Sequence, residues 1–118
     1  MLLWTVRGIV VSHHHGIMDY SAPPHFVLPD IVKAVGAQMT IIVDCCIESG
    51  MDVFKALALG ADAICVGQNL IPALTSDGAD GVKQRICELT RQLRGVMSRT
   101  GARTLDEIDG TVLHLRNF

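Results

Sequence analysis

Aromatic residues are scarce in this chain: one Trp, one Tyr and three Phe among 118 residues, although 49% of the residues are hydrophobic. That balance excludes a disordered chain and suits an aliphatic α/β protein. An excess of charge of one sign is lacking too. The formal net charge is -2 with both signs spread along the chain, so neither a nucleic-acid nor an anionic-membrane surface is expected. No apolar run approaches the length of a membrane span, and Met1-Leu2-Leu3-Trp4 has no signal-peptide architecture behind it. The expected compartment is the cytoplasm. The cysteines at 45, 46, 65 and 87 form no C-x-x-C pair. No metal site is expected from them, and they read as reduced small hydrophobes, Cys65 within a predicted buried strand. Linkers and low-complexity segments are absent, and the length allows one domain at most.

What is there is a strand–helix alternation. Residues 6–12 form a largely β-branched run, as a strand buried on both faces should. A loop rich in His, Gly and Pro follows over 13–24. Pro29 suits a helix's first turn, with Ile31, Val32 and Val35 as its apolar stripe and Gly36 as its C-terminal cap. Residues 40–43 are the second strand. Ser49 or Asp52 caps the next helix, which carries Val53, Phe54, Leu57 and Ala58 and ends at Gly60; 63–66 is the third strand. A long helix is predicted over 80–100, because Val82, Ile86, Leu89, Leu93 and Val96 recur at helical spacing. Gly101 caps it. Thr104 with Glu107 fits the capping box of a short final helix.

Alternation of this kind implies parallel pairing with right-handed crossovers. The second and third strands end at Asp44 and Gly67, which brings polar strand ends to one edge, where β/α barrels place their active sites. Three strands do not close a barrel. A lone copy would expose two sheet edges and one sheet face. The fold expected is α/β, with three consecutive parallel β/α units equivalent to the last part of a TIM (β/α)8 barrel. Residues 1–118 read as a single partial barrel domain.

The residues 8–12 (Gly-Ile-Val-Val-Ser), the His-Gly loop ending in Asp19-Tyr20, and 28–32 (Leu-Pro-Asp-Ile-Val) resemble the FMN-dependent α-hydroxy-acid oxidases and dehydrogenases. So do Val43-Asp44, the run 50–61 (Gly-Met-Asp-Val-Phe-Lys-Ala-Leu-Ala-Leu-Gly-Ala), Val66-Gly67, and the ending from Gly81 to Arg103. The likeness extends from Gly8 to about Ile108. It implies a TIM barrel whose last three β/α units correspond to this chain, acting with FMN on a 2-hydroxy acid or related substrate.

The family's loop after the sixth strand reads S-N-H-G-G-R-Q-L-D, with a His that takes a substrate proton and an Arg that binds the substrate carboxylate. Here it runs from Ser12 to Asp19, one residue shorter. By resemblance His14 is the catalytic base and Asp19 its orienting carboxylate, a pairing that suits a group titrating near neutral pH. The Arg is missing, with Ile17 or Met18 in its place. The family's flavin phosphate lies between loops reading D-G-G-I-R-x-G and G-R. The corresponding cofactor positions are Ser12, Asp44, Cys45, Cys46, Glu48, Gly67 and Gln68. Asp44, Gly50 and Gly67 are kept, two glycines have become cysteines, and two arginine positions are Glu48 and Gln68. Weakened FMN binding follows, since each lost or reversed charge beside a phosphate is worth about 1 kcal/mol or more. The flavin-ring contacts of the family come from earlier strands.

Blander readings stand beside these. Three consecutive histidines (His13, His14, His15) in an extended segment point alternately and seldom share one metal. His25 and His114 suit surface or packing roles, Met18, Met39, Met51 and Met97 suit packing, and Asp44 could be a helix cap. Lys83, Arg85, Arg91 and Arg94 read as a solvated helix face. The expected function is that of the C-terminal part of an FMN-dependent oxidoreductase, from a truncated or split reading frame and inactive alone. The alternatives are a non-catalytic subunit that pairs through its strand edges, with a copy of itself or a complementing barrel half, and a phosphate-ligand module on the Asp44 and Gly67 loops.

Overall fold

The computed structural model describes residues 5–116; Met1-Leu2-Leu3-Trp4, read above for a signal peptide, lies outside them. Three parallel strands, β1 (Gly8–Val11), β2 (Thr40–Val43) and β3 (Ala63–Ile64), form one sheet in chain order. Gly8 pairs with Thr40 and Val11 with Val43, while Val43 also pairs with Ile64. Between the strands run α1 (Pro24–Val35) and α2 (Gly50–Ala58), and α3 (Ile71–Thr100) follows β3.

Side chains alternate along each strand, so one face of the sheet is apolar and covered. Ile9, Val11, Ile41, Val43 and Ile64 meet Leu28, Ile31, Val32 and Val35 of α1 and Val53 and Ala56 of α2 in one core cluster. Ile41 and Val43 are wholly inaccessible, whereas Val10, on the other face, is 59% exposed. The expected bare face is therefore present, in place of burial on both faces. The second core joins Phe54 and Ala58 of α2 to Leu93, Val96 and Met97 of α3, with Ile108 and Leu113 closing it from the chain's end.

Local chemistry explains most boundaries. Ser49 accepts from the Asp52 amide while Asp52 accepts from the Ser49 amide, a capping box that starts α2. Gly101 ends α3 with a left-handed φ of 81°. Three expectations need correction. Helix α1 begins at Pro24, where a proline at the N-terminus costs no hydrogen bond, so Pro29 lies inside it. Helix α3 begins at Ile71 and contains a break at Asp77 and Gly78, upstream of the predicted start. The last helix is only a 3₁₀ turn (Leu105–Glu107) without a Thr104 side-chain cap, because Glu107 accepts from the Arg103 amide and guanidinium instead. In addition, β1 and β3 are shorter than the apolar runs that contain them, and Cys65 is exposed beyond the end of β3.

Candidate functional site

Parallel pairing delivers the ends of all three strands to one edge, and a cleft of about 550 Å³ opens there. Its lining includes His13 and His15 after β1, Asp44, Cys45, Cys46 and Glu48 after β2, Cys65, Gly67, Gln68 and Asn69 after β3, and Arg85 from α3.

Ser12 organises the edge between the first two loops. Its hydroxyl donates to Asp44 Oδ2 at 3.0 Å, lies 3.1 Å from Cys45 Sγ, and accepts from the His14 amide at 3.1 Å. Burial raises the Asp44 pKa, but the Ser12 hydroxyl, the Cys45 thiol and amide, and the charge of His15 outweigh it and hold the carboxyl below its ordinary value. Asp44 is thus an anion at neutral pH, and it is not the cap of α2, a role Ser49 takes.

Cys45 and Cys46 follow with φ of 74° and 60°. Glycine enters that left-handed region freely, whereas a side chain there costs about 1–2 kcal/mol. The loop keeps a glycine-like path with cysteines in it. Cys45 is buried against Ser12 and Asp44, while exposed Cys46 places its sulfur 3.4 Å from His13 Nε2. Burial, with Cys45, Glu48 and Asp52 nearby, pushes the Cys46 thiol up, so it remains protonated at neutral pH. Across the cleft, space over Gly67 is open: a Cβ added there would meet nothing within 4 Å.

The first loop departs from expectation. His14 and His15 both take left-handed backbone angles in a short 3₁₀ turn (His14–Gly16), so the histidines are not an extended run. His13 and His15 line the cleft while the His14 and Asp19 side chains stay exposed, and no hydrogen bond joins those two among the described residues. The other expected positions, Ser12, Asp44, Cys45, Cys46, Glu48, Gly67 and Gln68, lie together at the strand ends, Ser12 just behind the cleft and bonded to Asp44.

Two cleft residues escaped the sequence reading. Arg85 donates from Nε to Asn69 Oδ1 at 2.7 Å and from Nη2 to the Glu48 carbonyl at 2.6 Å. Asn69 donates in turn to the Ile47 carbonyl at 2.9 Å. Together they bridge the loops after β2 and β3, so Arg85 does not belong to a solvated face. The signal was its spacing: it stands four residues after Gly81 and four before Leu89, the two buried residues of α3.

Known proteins resemble this chain in sequence and in fold. The sequence fits the family "FMN-dependent dehydrogenase" over residues 3–115. It is 40% identical over 107 residues to an L-lactate dehydrogenase of Caulobacter sp. (strain K31), covering 90% of this chain and 28% of that protein. Similarity to a peroxisomal (S)-2-hydroxyacid oxidase of Arabidopsis thaliana is also 40%, over 87% of this chain and 29% of the relative. Among solved structures, a lactate oxidase of Pediococcus acidilactici superposes with a TM-score of 0.88 at 37% identity, over 94% of this chain and 31% of the other. A mandelate oxidase variant carrying an FMN adduct gives 0.83 at 39% identity, over 87% and 33%. The chain spans less than a third of the length of these relatives. It belongs to the FMN-dependent dehydrogenase family, and its three parallel β/α units are part of that family's TIM-barrel fold.

Proposed function

We propose that residues 1–118 form one partial barrel domain that supplies the phosphate side of an FMN site in a 2-hydroxy-acid oxidoreductase. The observation that carries this reading is the loop path at Cys45 and Cys46, left-handed despite its side chains, in the same cleft as the open space over Gly67. A phosphorylated ribityl chain fits such a cleft. Asp44, fixed as an anion by Ser12, would accept hydrogen bonds from the hydroxyls, and the backbone at Gly67 admits close approach. Glu48 and Gln68, in place of arginines, weaken the grip. Bound FMN supplies the two-electron acceptor for oxidation of the substrate's hydroxyl-bearing carbon. On the same reading His14 takes the substrate proton and Asp19 orients it, once the loop after β1 is covered by the remaining units of a barrel. The four unpaired thiols support a reducing, cytoplasmic setting; no helix among the described residues is long and apolar enough to cross a membrane.

Titration of the purified chain with FMN, followed by quenching of flavin fluorescence, tests the reading. Saturable binding is expected, and no binding at millimolar FMN would refute it. A second reading, pairing with a complementing barrel half or another copy, is favoured by the 59% exposure of Val10 on the bare face. Sedimentation that found only monomers, alone and with the complementary units added, would remove it.

A further inference from the structure

We infer that Arg85 is the cation that receives a phosphate monoester at this cleft, in place of the arginines its strand-end loops lack. Arg85 is half-buried, while Lys83, Arg91 and Arg94 on the same helix are exposed. Both groups it contacts, the Asn69 amide oxygen and the Glu48 carbonyl, are neutral. Among the described residues no carboxylate lies within ion-pair distance of it, although Glu88 one turn on feels its charge, whereas Arg91 and Arg103 each hold a glutamate. A guanidinium carries five N–H donors in a fixed fork. Two of them are engaged by those carbonyls, which lock the side chain, and the Nη1 group makes no hydrogen bond among the described residues. Charge, orientation and spare donors are thus all retained at the cleft wall.

The surroundings select the ligand. Arg85 is the one lysine or arginine among the cleft-lining residues, and Asp44 and Glu48 are the carboxylates there. A compact dianion beside Arg85 with a hydroxylated chain leading toward Asp44 satisfies both signs. A monocarboxylate offers less charge, and an uncharged polyol leaves the guanidinium unpaired. The bridge to Asn69 adds a geometric consequence: binding at Arg85 would draw on the loops after β2 and β3 as one unit. This inference rests on the flavin reading for the identity of the chain, but not for the phosphate.

The test compares wild type, Arg85→Gln and Arg85→Lys with FMN and with riboflavin, which lacks the phosphate, by fluorescence at fixed ionic strength. Wild type is expected to prefer FMN, and Arg85→Gln to lose about tenfold in FMN affinity while riboflavin affinity is unchanged. Arg85→Lys should keep part of the preference, which a purely structural bridge would not. An FMN-to-riboflavin preference that is the same in wild type and Arg85→Gln would overturn the assignment. If neither flavin binds wild type, the flavin reading fails, and inorganic phosphate followed by ³¹P line broadening decides Arg85 alone. Broadening present in wild type and lost in Arg85→Gln supports the anion site; no broadening with either protein overturns it.

Discussion

The Ser12 hydroxyl donates to the Asp44 carboxylate at 3.0 Å, tying the end of β1 to the end of β2 across the cleft edge. The same oxygen accepts from the His14 amide, so one side chain sets both the His-rich loop and the neighbouring anion. Ser12→Ala is expected to cost about 1 kcal/mol in urea denaturation and to move the Asp44 pKa upward in an NMR titration. An unmoved Asp44 would show that the hydroxyl does not hold the carboxylate.

The pH dependence follows in sign from the carboxylates. Asp44 lies below its ordinary value of 3.8, and the Arg91 and Gln92 side chains hold Glu88 at about 2. Each group binds fewer protons folded than unfolded in the acid range. Stability from them is complete above the ordinary carboxylate values and is lost as pH falls through the folded ones. Denaturation midpoints should be level from pH 7 to 5 and decline below about pH 4.5. Because Glu88 owes its shift first to the exposed Arg91, its share should shrink in high salt while that of Asp44, held by Ser12, persists.

Backbone strain at the second loop is separable from side-chain chemistry. Cys46→Ala and Cys46→Gly both remove the contact with His13, but only glycine relieves the positive φ of 60°. The glycine variant is expected to be more stable than the alanine variant by ~1 kcal/mol. Equal urea midpoints would argue against strain there.

At the crossing of α2 and α3, Gly50 leaves no room for a side chain. A Cβ would lie 2.6 Å from the Gln92 Cβ and press on the Leu93 amide, and the Gly50 N–H donates to Gln92 Oε1 at 2.8 Å. Gly50→Ala should lower stability by about 3 kcal/mol through overpacking, seen as a lower thermal midpoint. A change below about 0.5 kcal/mol would mean that the helices part easily.

The two faces of the sheet predict opposite outcomes. Val43→Ala, on the covered face, should cost about 2 kcal/mol. Val10→Ala, on the bare face, should cost under about 0.5 kcal/mol in the isolated chain. Similar losses at both positions would show that something covers Val10 in solution.

Legibility from sequence divided along physical lines. Strand β2, a cap at Ser49 or Asp52 and the Gly101 terminus were readable because each leaves a local mark in the sequence, an apolar run or a capping residue, and the structure chooses Ser49 as the cap. The start of α1 was misplaced because two prolines each suit a first turn, and only packing of Leu28 and Pro24 decides between them. At the site, strand-end positions such as Asp44 and Gly67 were found from the β/α pattern. Arg85 was not, since its role arises from contacts with residues 16 and 37 positions away. The left-handed turn of His14 and His15 was hidden as well, for the run was read as extended and histidine visits positive φ too seldom to signal it.

The sheet's spatial order repeats its chain order, with each strand pairing only with its predecessor and successor. During synthesis the hairpin-free assembly can therefore grow vectorially: β1, α1 and β2 can meet one another before α3 leaves the ribosome. The pairings themselves are non-local, Gly8 meeting Thr40 across an intervening helix, so each step waits on closure of a whole β/α unit. In a sheet ordered this way, a boundary between β/α units severs one strand pairing and leaves the others whole.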